Sequence, residues 1–137
     1  ELVIIGGDLV GLELAEFLSE RGKKITVVEP TNDLGPNLSI VRRSRVVHIL
    51  KSHGVNIIKN AKDIKISNSD VNFELDGTSQ SIKANQVIIA MGTEPNTELA
   101  NELIENNFNV SMIGDCTSVG YIEGAISDAR IAVKEII

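Results

Sequence analysis

A chain of 137 residues, 42 % hydrophobic and 23 % charged, is long enough for one globular domain with a proper core. A net charge of −6 without a basic stripe argues against nucleic acid as a partner, and no apolar run nears the roughly 18 residues of a membrane helix. With Cys116 as the one cysteine, this chain alone makes neither an internal disulfide nor a cysteine-built metal site, and the lack of a basic-then-apolar leader points to the cytoplasm.

The sequence opens on Glu1, and Leu2 already belongs to an apolar run, so a piece of a longer protein is expected. Leu2 to Ile5, ended by Gly6 and Gly7, fits a strand covered on both faces. From Leu9 to Glu20 the spacing turns helical. Leu12, Ala15 and Leu18 share one face, Leu14 and Phe17 lie beside them, and Glu13, Glu16 and Glu20 point away. Gly22 stops this helix. Lys24 to Glu29 is a second strand, ended by Pro30. After a loop from Thr31 to Leu38, Ser39 can cap a helix running to about His53, with Gly54 as its stop. Val55 to Lys59 is a third strand. Ile64 and Ile66, Val71 to Leu75, and Ile82 then lie in short alternating segments. Asn68-Ser69 and Asp76-Gly77 separate them, which predicts an antiparallel meander. Gln86 to Ala90 returns to a buried strand, followed by Gly92. Thr97 to Asn107 predicts a short helix, and Val110 to Ile113 a strand ended by Gly114-Asp115. Tyr121 to Ile137 predicts a last helix with Ile122, Ala125, Ile126, Ala129, Ala132 and Val133 on its inner side. Alternating strands and helices imply an α/β fold, a doubly wound parallel sheet into which the meander is inserted.

The informative segment is the first, "ELVIIGGDLVGLELAEFL", where a strand runs through glycines straight into a helix. In that context G-x-G-x-x-G signals a dinucleotide site. The first glycine makes the turn, the second admits a pyrophosphate, and the third lets helix and strand pack closely. Gly6 and Gly11 hold the first and third positions, and Asp8 stands in the middle one. A helix start attracts an anion by about 0.3–2 kcal/mol. A carboxylate about 4 Å from a phosphate charge repels it by about 1 kcal/mol in water and about 4 kcal/mol at an effective dielectric near 20. Asp8 is therefore expected to weaken nucleotide binding, and it can also cap the helix itself. Glu29 ends the second strand about 20 residues beyond the turn, where an acid accepts hydrogen bonds from a ribose and repels a 2′-phosphate. This favours NAD(H) over NADP(H).

Three segments carry a resemblance. "LVIIGGDLVGLELAEFLSERGKKITVVEP", "QVIIAMGTEPNTEL" and "VSMIGDCTSVGYIEGAISDARIAVKEI" together resemble the NADH:flavin oxidoreductases related to 2,4-dienoyl-CoA reductase, within the FAD/NAD(P) reductases of the pyridine nucleotide-disulfide oxidoreductase type. The resemblance implies a Rossmann-like NAD(P)-binding domain at residues 1–95. Residues 96–137 would then be the C-terminal strand and helix of an incomplete FAD domain. Gly6, Gly7, Asp8, Leu9 and Val10 would face the NAD pyrophosphate and Glu29 its ribose. Ala90, Met91 and Gly92 would line the nicotinamide side, and Asp115 would bond the ribityl chain of FAD. The family usually has glycine at the position of Asp8, and basic residues near Ser118 to Tyr121. Its second glycine fingerprint belongs to an earlier segment, as do an FMN barrel and an iron–sulfur cluster. FAD would thus bind only with that N-terminal segment, and the isolated chain is expected to catalyse nothing. Its partners would be the remaining flavin-binding domains and a nicotinamide or adenine nucleotide.

A structural module that keeps only an adenine nucleotide such as ADP, or none, is the alternative. A methyltransferase is disfavoured by the meander and the Gly-Asp segment. Cys116 lacks a partner thiol and reads as a small packed residue. His48 and His53 fall on different parts of a helix surface. Arg42, Arg43 and Arg45 read as a solvated face, as do Lys59, Lys62 and Lys65.

Overall fold

The computed structural model describes residues 1–136 and divides into two units, Glu1–Gly92 and Thr93–Ile137. The first unit contains β1 (Leu2–Ile5), α1 (Leu9–Ser19), β2 (Ile25–Val28), α2 (Ile40–Ser52) and β3 (Asn56–Ile58). It continues with β4 (Lys62–Ile66), β5 (Asp70–Leu75), β6 (Thr78–Lys83) and β7 (Gln86–Ile89). Four strands form a parallel sheet in the order β3-β2-β1-β7, with Ile4 level with Val27 on one side and Ile88 on the other.

β1 is apolar throughout because both of its faces are covered. On one face Leu2, Ile4, Ile25 and Val27 pack against Leu12 and Ala15 of α1 and Val46 and Leu50 of α2. On the other, Val3, Ile5 and Val28 pack against Ala61, Val71, Phe73 and Ala84. Helices α1 and α2 thus cover one side of the sheet and the meander covers the other. β1 reads apolar at every position because alternate side chains serve two different cores. Ser39 begins α2 as expected, its hydroxyl accepting from the Arg42 N–H.

The meander is a three-stranded antiparallel sheet, β4-β5-β6. Val71 faces Ile82, and the Asp76-Gly77 turn closes the β5–β6 hairpin between Leu75 and Thr78. Only Val71 and Phe73 of β5 turn fully inward, which is the alternation of a sheet with one wet face. β7 departs from the expectation of a buried strand. It lies at the edge of the parallel sheet, and Ile89 is 66 % exposed.

The second unit contains α3 (Glu98–Glu105), a short 3₁₀ turn (Gly114–Cys116) and α4 (Tyr121–Ile136). The strand expected at Val110 to Ile113 is not formed, since a strand exists only as a member of a ladder and these residues pair with nothing among the described ones. The expected inner side of α4 is also uncovered. Ile122 is 79 % exposed, and Ile126 and Val133 are exposed as well, while Ala125, Ala129 and Ala132 are half-buried. Ile137, the expected last residue of that helix, lies outside the described residues.

Candidate nucleotide-binding site

The parallel strands end in one row, and the turn after β1 sits where the strand order reverses. From β1 the chain builds outward through β2 and β3, then returns through the meander to place β7 on the opposite side of β1. Such a switch point, outside the carboxyl ends of the strands, is the usual ligand crevice of an open α/β sheet. Gly6 stands on one side of it and Ala90 on the other.

The glycines there are forced by packing. Gly6 has φ +108°, which L side chains rarely adopt, and a Cβ on it would lie 2.2 Å from the carbonyl oxygen of Ala90. A Cβ on Gly11 would lie 2.0 Å from the carbonyl oxygen of Gly6, so the third glycine lets α1 cross directly over the turn. Gly7 is pinned between Leu34 and Glu29, its added Cβ meeting the Leu34 side chain at 2.6 Å. The Ala90 N–H donates to the Ile5 carbonyl at 2.7 Å, which draws the Ala90-Met91-Gly92 segment against the turn. Met91 is exposed, as is Val10 at 64 %. Leu9 is half-buried.

Among the described residues, Glu29 is the one charged residue in the core, at 7 % exposure. Its Oε2 accepts the Gly7 N–H at 2.6 Å. Its Oε1 accepts the Thr31 N–H at 2.8 Å and the Thr31 hydroxyl at 2.7 Å. A carboxylate offers about four acceptor positions, so about one remains for a ligand. Glu29 is therefore first a brace joining the end of β2 to the glycine turn. The loop behind it is tied down as well, the Gly35 N–H donating to the Gly7 carbonyl at 2.8 Å.

Asp8 sits at the N-cap position of α1 with φ −86° and ψ −171°, extended backbone open to any residue. The expectation that its side chain caps the helix is not met, because no side-chain capping bond forms. Oδ2 takes the Asn37 amide at 3.4 Å, a long contact, and Oδ1 is buried without a partner. The N–H groups of Leu9, Val10 and Gly11 consequently have no acceptor among the described residues and stay available to an anion.

The structure thus brings Gly6, Gly7, Asp8, Glu29 and Ala90 together. Asp115 belongs to the second unit, in the 3₁₀ turn, where its Oδ1 accepts the Gly120 N–H at 3.0 Å. The sequence reading missed Thr31, Leu34, Asn37 and Asp128. The first three lie in a loop without periodicity, and Asp128 belongs to no motif. Of the residues set aside, Arg42 pairs with Glu13, and His53 Nδ1 lies 3.1 Å from the Ser19 hydroxyl. Cys116 donates to the Ile113 carbonyl. No cluster of metal-ligating side chains occurs among the described residues, and none of the described helices is long and apolar enough to cross a membrane.

Known proteins resemble this chain in sequence and fold. An NADH oxidase from Thermoanaerobacter brockii is 32 % identical over 93 % of this chain and 20 % of its own length. A bilirubin reductase from Mediterraneibacter gnavus is 30 % identical over 97 % of this chain and 21 % of its own. Among solved structures, a 2-naphthoyl-CoA reductase in complex with 2-naphthoyl-CoA superposes with a TM-score of 0.82 at 26 % identity, covering 93 % of this chain and 20 % of that one. The 6-hydroxypseudooxynicotine amine oxidase of Pseudomonas geniculata gives 0.84, also at 26 %, covering 96 % of this chain and 21 % of that one. The chain spans about a fifth of the length of each of these relatives. The family described as pyridine nucleotide-disulphide oxidoreductase matches residues 1–135, and the chain belongs to it.

Proposed function

We propose that this chain is the NADH-binding part of a cytoplasmic, flavin-dependent oxidoreductase, working with flavin-binding domains carried elsewhere in the same protein. Residues 1–95 hold the nicotinamide nucleotide, and residues 96–137 complete a flavin-binding domain. The observation that carries the reading is the switch point. A glycine turn and unbonded helix N–H groups meet there, and Glu29 stands at the end of β2. The pyrophosphate would lie along Gly6, Gly7, Asp8, Leu9 and Val10, and the ribose beside Glu29. The nicotinamide would lie by Ala90, Met91 and Gly92.

The buried carboxylate of Glu29 has room for one ribose hydroxyl and disfavours a 2′-phosphate, hence NAD(H) over NADP(H). Asp115, with one oxygen committed to Gly120, would offer the other to the ribityl chain of FAD. Bound flavin supplies the electron-accepting chemistry, while this chain binds and orients.

Asp8 supports a second reading, a degenerate module that keeps only an adenine nucleotide such as ADP. Fluorescence titration of the protein with NADH and with ADP separates the two. NADH binding clearly tighter than ADP is expected. Equal affinities favour the degenerate module, and no binding by either overturns both in favour of a purely structural domain.

A further inference from the structure

The Gly114-Asp115 turn is fixed from a distance. Gly114 is buried and has φ +74°. Its carbonyl accepts from both the N–H and the hydroxyl of Thr117, at 3.0 and 2.9 Å. Its own N–H is met by Asp128, fourteen residues on and within α4, whose Oδ2 accepts at 3.0 Å in a partly buried setting. Asp115, the next residue, points its Oδ1 at the Gly120 N–H, just before α4 begins. A buried N–H needs a partner, and because glycine adopts and leaves a left-handed conformation freely, the turn is held by its hydrogen bonds. Asp128 supplies that partner with a charge-assisted bond from a helix, a stiffer support than a loop.

We infer that Asp128 is a positioning residue for Asp115, locking the turn so that the free carboxylate oxygen of Asp115 is presented to flavin. The inference rests on the flavin reading of this turn given above. The test uses the full-length flavoprotein and its Asp128→Ala, Asp128→Asn and Asp115→Ala variants. FAD content, the FAD dissociation constant, the flavin absorption spectrum and the melting temperature of the apoprotein are measured.

The Asn carbonyl can still accept the Gly114 N–H. Asp128→Asn is therefore expected to hold FAD within about threefold of wild type and Asp128→Ala at least tenfold more weakly. The Ala variant should also show a shifted flavin spectrum, with its apoprotein melting as wild type does. Wild-type FAD affinity and spectrum in Asp128→Ala overturn the inference. So does Asp128→Asn failing as badly as Asp128→Ala. If Asp115→Ala still loses FAD in either case, the flavin reading survives. FAD retention by Asp115→Ala sinks that reading and this inference with it. Should Asp128→Ala not fold, hydrogen exchange over residues 114–117 decides. Slow exchange in wild type and in Asp128→Asn supports the bond, and exchange as fast as in an open loop overturns it.

Discussion

Replacing Glu29 by glutamine keeps the shape of the side chain and exchanges one acceptor for two N–H donors. Every group around the Glu29 carboxylate is a donor: the Gly7 N–H at 2.6 Å on one oxygen, the Thr31 N–H at 2.8 Å and the Thr31 hydroxyl at 2.7 Å on the other. Whichever way the amide is turned, its NH2 faces a backbone N–H. With the NH2 toward Thr31, the hydroxyl can rotate to accept, but the Thr31 N–H is orphaned. With the NH2 toward Gly7, the buried Gly7 N–H is orphaned at the glycine turn. A buried donor left without a partner costs about 1–3 kcal/mol, and the amide takes the cheaper turn, toward the part-buried N–H of the exposed Thr31, at the low end of that range. For a unit of this size about 1 kcal/mol lowers the melting temperature by roughly 4–8 °C, which is the expected drop. Scanning calorimetry of the two proteins in one buffer measures it. A Glu29→Gln protein melting within about 2 °C of wild type would refute the view that this carboxylate braces the turn.

Gly11→Ala drives a Cβ to 2.0 Å from the backbone oxygen of Gly6, which has no side-chain freedom to yield. A loss of about 3 kcal/mol in urea denaturation is expected, and a loss under about 1 kcal/mol would contradict the close crossing of α1. Leu12→Ala empties a fully buried position between α1 and the sheet and should cost about 2–5 kcal/mol by the same assay. Asp8→Gly should raise NADH affinity about tenfold, the equivalent of about 1.4 kcal/mol of relieved repulsion, while stability falls by no more than about 1 kcal/mol. Unchanged affinity in a direct titration removes Asp8 from the account.

Legibility followed burial. The four-residue apolar run at Leu2–Ile5 and the largely apolar Ile25–Val28 were readable because both faces of the sheet have to be filled, and the glycines and Pro30 that follow bound them as short strands. The hairpin at Asp76-Gly77 was readable from its turn residues. Val110 to Ile113 was not. Its composition suits a strand, but strand formation depends on a neighbour, and the described residues supply none. The apolar face of α4 fails for the same reason, since periodicity says which side wants cover and not what covers it. At the site, motif spacing pointed to Gly6 and Glu29, while Ala90 came from the family resemblance. The direction of the Glu29 carboxylate depends on Thr31, a loop residue whose role no pattern announces.

The glycine turn itself says less about its ligand than its fame as a motif suggests. Gly6 is held by a positive φ and by the Ala90 carbonyl, Gly7 by Leu34 and Glu29, and Gly11 by the Gly6 carbonyl. Every one of these constraints is internal to the protein. A module that had lost its nucleotide long ago would keep all three to remain folded. Position 8 is different. Its backbone is extended at φ −86°, so the fold asks nothing of it, and a glycine there would serve only to let a phosphate approach. It is thus the one position of the turn at which the demands of a ligand can be separated from those of the chain, and it carries a carboxylate. The open N–H groups of Leu9 to Gly11 argue for an anion, and the charge of Asp8 argues against a tight one. On the proposed nucleotide-binding reading, affinity at this site is set by the contest between these two features. A comparison of NADH with ADP, made in both wild type and Asp8→Gly, reads that contest without disturbing the core.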